Sequence, residues 1–383
     1  MDINNITPKS VSLTKDKLTD SLNEILKIFL NEDSYPGELR TASFDLFDLF
    51  SEITNIKDDS RSQSETDPIY LYCGKAIAPL NAAQCIREYL RTTKFIRGIY
   101  YAIKEAQNRF PGEVIHILYA GCGPCAPFAV TMAALFPSEQ AQFTLLDINS
   151  YSLDAAKNII NAFGYQDSVR EYVCCDASMY KKPADSDLHM VISETMLNAL
   201  RKEPQAAITG NLAPQIKRNG ILIPQKIIVT VSVSDSSKEN CVFSGSEENH
   251  ELTGKLPEGY RKRINPVTLI ELSIDKPHTT KLPLDKNGIY LKPSVPVSFK
   301  IPGEGKYCLV LNTYITVFDK HTLGEYDSSL NLPIFLKDSL NNKSRKYYEF
   351  SYFIGEHPGF KYHEISRMKY LFKCFLSYLI QSG

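Results

Sequence analysis

Between Val114 and Val233 short apolar runs alternate with stretches of helical periodicity, and few folds accept that alternation. Val114 to Ala120 (VIHILYA) reads as a buried strand. A glycine turn follows, then a helix from about Pro127 to Phe136. Gln142 to Asp147 (QFTLLD) is the next strand and Ser152 to Phe163 the next helix. Val169 to Cys174 and Leu188 to Ser193 add two strands. Pro204 to about Lys217 is mostly helical with a break near Pro214, and Gly220 to Val233 is strand-rich. Strands joined by helices through short links predict a parallel, doubly wound α/β sheet, a Rossmann-like architecture.

The flanks differ. Leu18, Leu22, Ile25, Leu26 and Phe29 fall at helical spacing behind Ser12 and Thr14, which are cap candidates. Phe44, Phe47, Phe50 and Ile53 predict a second short helix, and Lys57 to Asp67 is a polar linker. A long helix is expected from Leu80 to Arg109, its apolar stripe running through Ile86, Leu90, Thr93, Ile96, Ile99, Tyr100 and Ile103. After Ser234 the chain is polar to Arg263, and then short β-type segments follow, an antiparallel barrel or sandwich. The last segment, Ile365 to Leu379, reads equally as strand or helix. Three domains are expected: residues 1–66 as a helical extension and linker, 67–233 as the sheet domain, and 234–383 as a barrel-like β domain that serves substrate binding or dimerisation.

Composition narrows the function. With 43 basic and 44 acidic residues the net charge is -1, so nothing draws the whole chain to nucleic acid or an anionic membrane. No run reaches the roughly 18 apolar residues of a membrane span, and no export signal is seen at the N-terminus. A cytoplasmic location and nine free thiols are therefore expected. No metal site is expected.

The first chemical signal is VIHILYAGCGPC. An apolar strand ends at Ala120, and Gly121-Cys122-Gly123 turns the chain toward a helix. Small residues there let the backbone approach a ligand, and a helix N-terminus presents free N–H groups. The next strand ends in Asp147, 24 residues beyond Gly123, where an acid in a nucleoside-binding fold accepts from ribose hydroxyls. Asp147 could instead cap the following helix, and Asp176 after the third strand could be a loop Asx-turn or reach an adenine amino group.

Together these elements resemble the class I S-adenosylmethionine (SAM)-dependent methyltransferases. The resemblance implies that Gly121, Cys122 and Gly123 approach the methionine part of SAM, Asp147 the ribose and Asp176 the adenine. NAD enzymes share this logic, but their third glycine is Ala126 here. A rival reading is thioredoxin-like chemistry at Cys122-Gly-Pro-Cys125, where a helix N-terminus would activate the first thiol. Against it, Gly121 stands where that motif has Trp.

The sharpest signal is Ser193-Glu194-Thr-Met196-Leu-Asn-Ala-Leu-Arg-Lys-Glu203. Glu194 ends an apolar strand and Glu203 follows nine residues later, before Pro204. A loop between them would bring two carboxylates to one pocket, which can hold a guanidinium by paired hydrogen bonds. Each has a bland alternative: Glu203 at a helix N-terminus, Glu194 as a structural acid. This stretch resembles the double-Glu loop of the protein arginine methyltransferases. Leu90-Arg91-Thr92-Thr93 is similar to that family's Arg-Thr motif, and Gly220-Ile-Leu-Ile-Pro224 ahead of a β domain matches its order.

The resemblance implies catalytic roles for Glu194 and Glu203, Met196 lining the pocket, Arg91 pairing with the SAM carboxylate, and a homodimer. It implies N-methylation of a guanidinium or amine on a peptide, protein or small metabolite. The alternatives are a methyltransferase with another acceptor or an inactive SAM-fold binding protein. The chain departs from the family in having no Trp, hence no Thr-His-Trp loop. Asp319 and His321 in FDKHT, and His363, are weak substitutes, and Tyr70 and Tyr72 are candidates for the family's cofactor lid.

Overall fold

The structure is a computed structural model describing residues 14–57, 62–239, 261–278, 288–291, 294–302, 305–340 and 345–382. The start of the chain with Ser12, part of the linker expected from Lys57 to Asp67, and residues 240–260 of the polar insertion lie outside them.

Helix α1 (Lys15–Leu30) begins behind Thr14, whose side chain makes no cap bond. Helix α2 (Pro36–Thr54) is longer than expected, because Leu39, Ala42 and Leu46 extend its buried stripe back to Pro36. Proline fits a first helical turn, and Asn55 in the left-handed conformation (φ 61°) ends it. A short helix α3 (Gln63–Thr66) leads into the hairpin β1 (Ile69–Leu71) and β2 (Gly74–Ala76). The single helix expected from Leu80 is two: α4 (Pro79–Gln84) and α5 (Tyr89–Arg109). Ser43 and Thr92 hydroxyls donate to the Ile86 carbonyl, which a continuous helix would have used internally, and Glu88 leaves helical geometry (ψ 83°).

The alternation then unfolds as β3 (Ile115–Ala120), α6 (Pro127–Ala133), β4 (Ala141–Asp147), α7 (Ser150–Phe163), β5 (Val169–Cys174), β6 (Met190–Ser193), α8 (Gln205–Leu212) and β7 (Ile221–Ile223). The five strands form one parallel sheet in the order β5-β4-β3-β6-β7. The order reverses between β3 and β6, and ligands of open α/β sheets bind outside the strand ends at such a point. Helices α1 and α2 pack on α5 and α7, so the N-terminal residues belong to the core rather than to an extension. Burial of Leu22, Leu26, Phe29, Leu46 and Phe50 there is worth roughly 1.5–3 kcal/mol each.

The strand-rich segment from Gly220 splits. β7 stays in the parallel sheet, whereas β8 (Lys226–Asp235) pairs antiparallel with later strands. The change of architecture therefore falls at Pro224-Gln225, earlier than the expected 233. After the one-turn helix α9 (Ser236–Glu239) come β9 (Ile264–Ser273), β10 (Ile289–Tyr290), β11 (Val295–Lys300), β12 (Tyr307–Phe318), β13 (His321–Leu323), β14 (Ile334–Leu340), β15 (Arg345–Ile354) and β16 (Gly359–Glu364). They form two antiparallel sheets, one around β8 and β12, the other around β15. Val229, Val231, Phe299, Leu309, Tyr348 and Phe350 fill the barrel-like interior between them. The ambiguous last segment is a helix, α10 (Arg367–Ser382).

Candidate functional site

A cavity of about 540 Å³ opens at the point where the strand order reverses. The nine residues expected from the sequence to hold the cofactor or the acceptor all line it: Arg91, Gly121, Cys122, Gly123, Asp147, Asp176, Glu194, Met196 and Glu203.

The glycine turn follows β3. Gly121 has φ 71°, and a Cβ there would fall 2.4 Å from Cγ2 of Thr195, so both backbone and space demand glycine. Asp147, at the end of β4, holds the turn: its Oδ2 accepts from the Gly123 N–H at 2.9 Å and its Oδ1 from Asn149 at 2.9 Å. Asp147 is not the cap of α7; Asn149 is, accepting from Tyr151 and Ser152. Burial pushes the Asp147 carboxyl up, and the backbone donors oppose that. Its oxygens keep lone pairs for further donors. Asp176 accepts from the Ser178 N–H at 2.8 Å, an Asx-turn, and still lines the cavity.

The neighbouring thiols are not activated. Burial lifts Cys122 well above the ordinary thiol range and Cys125 to about 12. A redox-active first cysteine needs the opposite shift. Helix α6 begins only at Pro127, beyond both.

The carboxylates converge from the other side. Glu194 follows β6 and Glu203 precedes α8; Glu203 is buried, and the Glu194 side chain is 8% exposed. Burial, reinforced by the charge of Glu194, lifts Glu203 to about 8. Burial also raises Glu194, against the pull of Arg91. Arg91 on α5 is ion-paired through Nη2 to Glu194 Oε2 and through Nη1 to Glu88 Oε1 at 3.2 Å. Burial alone would lower the guanidinium, but Cys85, Glu194 and Glu88 together raise it, so it stays protonated. Glu194 Oε1 is left buried, with no hydrogen-bond partner among the described residues. An unpaired buried oxygen costs roughly 1–3 kcal/mol.

The loop between the two acids is strained. Ala199, Leu200 and Lys202 have φ of 54°, 54° and 67°, a left-handed region that costs non-glycine residues on the order of 1–3 kcal/mol each. Hydrogen bonds from the antiparallel half hold it there. Thr313 Oγ1 accepts from the Ala199 N–H at 2.7 Å, Tyr352 donates to the Leu200 carbonyl at 2.5 Å, and Asn198 donates to the Leu332 carbonyl at 2.6 Å. Lys202 N–H donates to Pro358 at 3.0 Å, and its carbonyl accepts from Lys75 in the β1–β2 hairpin at 2.8 Å. Gly74 makes that hairpin contact feasible: at φ 138°, a Cβ would lie 2.9 Å from the Lys202 carbonyl oxygen.

Other nominated residues lie elsewhere. His321 is buried against the Tyr101 ring at 5.2 Å, and neither it nor Asp319 is among the lining residues. His363 pairs with Glu349 at 3.5 Å and is not among the lining residues. Tyr70 and Tyr72 are exposed; from their hairpin Leu71, Lys75 and Ala76 reach the cavity instead. Ser329 and Leu330, between β13 and β14, also line it, and Ser329 donates to Glu88 from both its N–H and its hydroxyl at 2.8 Å. No sequence signal marked them, although Glu88 could have been found as the i, i+3 partner of Arg91.

No family model matches the sequence, and no curated protein matches it. Among solved structures the chain is similar to the Trypanosoma brucei PRMT1 enzyme–prozyme heterotetrameric complex with AdoHcy. The identity is 13%, with 75% of this chain and 94% of that one covered and a TM-score of 0.47. No helix among the described residues is long and apolar enough to cross a membrane.

Proposed function

We propose that this chain is a SAM-dependent N-methyltransferase acting on a guanidinium or amine nitrogen. The observation that carries the reading is the shared cavity: two buried carboxyls, one with a free oxygen, lie in the same space as a glycine turn held by an acid.

The residues suit SAM. Gly121 and Gly123 admit a ligand close to the backbone, Asp147 and Asp176 offer acceptors for hydroxyl and amino groups, and Arg91 offers a cation for a carboxylate. When bound, SAM supplies an electrophilic methyl group on a sulfonium. Glu194 Oε1 and Glu203 would grip the acceptor cation through charge-assisted hydrogen bonds and aim its free nitrogen at that methyl. Alignment of this kind supplies much of the rate in a reaction with little proton chemistry. Burial holds the Glu203 carboxyl protonated up to about pH 8; an acceptor cation beside it would favour the carboxylate, which could then take the proton that the nitrogen loses as its new bond forms. Met196, buried beside Glu194, would pack along the acceptor's apolar stem.

The test is incubation with labelled SAM against free arginine, arginine and lysine peptides, and small amines, with mass spectrometry of the products. Methylated nitrogen is expected, and Glu194→Gln and Glu203→Gln should each lose about 10²-fold or more in turnover while still binding S-adenosylhomocysteine. Turnover at the wild-type level by the double variant would end the clamp reading.

A further inference from the structure

Helix α10 is mounted with its apolar face outward. Met368, Leu371, Phe372, Phe375 and Leu376 are 41 to 80% exposed. They fall at i, i+3, i+4, i+7 and i+8, one continuous stripe. The opposite side docks on the sheet around β15: the Tyr370 ring lies 5.1 Å from Tyr347, and Lys373 is ion-paired with Glu349. A surface helix ordinarily turns its stripe toward its own core.

We propose that this stripe is the contact between two copies of the chain, α10 packed antiparallel on α10 about a twofold axis near Phe372. The spacing is that of side-chain rows that interlock between helices. At roughly 150–250 Å² for a large side chain, the exposed portions leave on the order of 500–600 Å² per copy. Two copies would then bury about 1,000–1,200 Å², the lower end of specific interfaces. The charge pattern sets the direction. Arg367 and Lys369 stand in the first turn, and the helix contains no acidic residue. A parallel pair would bring these cations together, whereas an antiparallel pair separates them and opposes the helix dipoles. Two of the helix's three basic residues are also turned away from a bilayer. Lys369 and Lys373 both lie against Glu349, the former at 3.7 Å, instead of facing anionic headgroups. A closed twofold contact uses the same stripe on both copies and leaves no edge for further growth.

Sedimentation velocity of the full chain over about two decades of concentration tests this. A monomer–dimer equilibrium in the micromolar range is expected, and Phe372→Glu with Phe375→Glu should weaken it by about 100-fold or more. Both positions are exposed in the monomer, so far-UV circular dichroism should be unchanged. Phe372→Cys, at the axis, should form an intermolecular disulfide on mild oxidation, whereas Lys361→Cys on β16 should not. Three results would each overturn the proposal: a wild-type chain that stays monomeric throughout, a dimer indifferent to the double substitution, or co-sedimentation with phosphatidylserine vesicles that the double substitution abolishes.

Discussion

Replacing Glu203 by glutamine should trade function for stability in a way that depends on pH. The carboxyl is 5% exposed, and burial together with the charge of Glu194 raises it from 4.5 to about 8. Because the folded chain binds this proton more tightly than the unfolded chain, the stability it contributes is fully present below about pH 4.5. That contribution is lost as pH rises through about 8. At 1.36 kcal/mol per pH unit the full loss is about 5 kcal/mol. Relaxation and water entry around a buried charge reduce this to nearer ~1–3 kcal/mol. Glutamine keeps the shape and removes the titration. Its melting temperature should match the wild type near pH 5 and exceed it increasingly up to about pH 8, by roughly 2–4 °C per kcal/mol. Thermal melts of both proteins across that range, with methyl transfer measured alongside, make the assay. A gap that does not change with pH would refute the reasoning, because it would mean that Glu203 does not titrate differently in the folded chain.

Three further substitutions probe separate parts of the site. Gly121→Ala sets a Cβ against Thr195 in a left-handed backbone; it should cost on the order of 1–3 kcal/mol and at least tenfold in S-adenosylhomocysteine affinity, read by calorimetry. Thr313→Val removes the acceptor for the Ala199 N–H, so amide exchange at that position should quicken and acceptor turnover fall, with Thr313→Ser restoring both; unchanged exchange would show that the loop holds its own shape. Cys122→Ser should keep turnover within a few-fold, since the thiol is buried and held protonated, whereas complete loss would revive thiol chemistry.

The sheet was legible because its strands β3, β4, β6 and β7 are mostly buried, apolar and bounded by glycine and polar turns, so that period and length agree. The nine cavity residues were legible for a related reason: Gly121, Asp147 and Glu194 sit at strand ends, and strand ends of a parallel sheet share one rim. What was missed depends on contacts between distant segments. The break before α5 comes from the Ser43 and Thr92 hydroxyls on Ile86, and β8 leaves the parallel sheet because β12 and β9 flank it. Ser329 reaches the cavity through a fold between β13 and β14 that no local pattern encodes. His321 and Asp319 looked chemical in isolation, but their place in the antiparallel half turns them away from the cavity. The strain at Ala199, Leu200 and Lys202 was equally hidden, since none of them is the glycine that normally marks a left-handed backbone.

Calorimetric titration of the full chain with S-adenosylhomocysteine, and separately with NAD, reaches the central claim most directly. Saturable heat with the former, in the micromolar range, and none with the latter is the expected result, with Asp147→Ala weakening it at least tenfold. Clear binding of NAD and no heat from S-adenosylhomocysteine would contradict the assignment of this cavity to a sulfonium methyl donor.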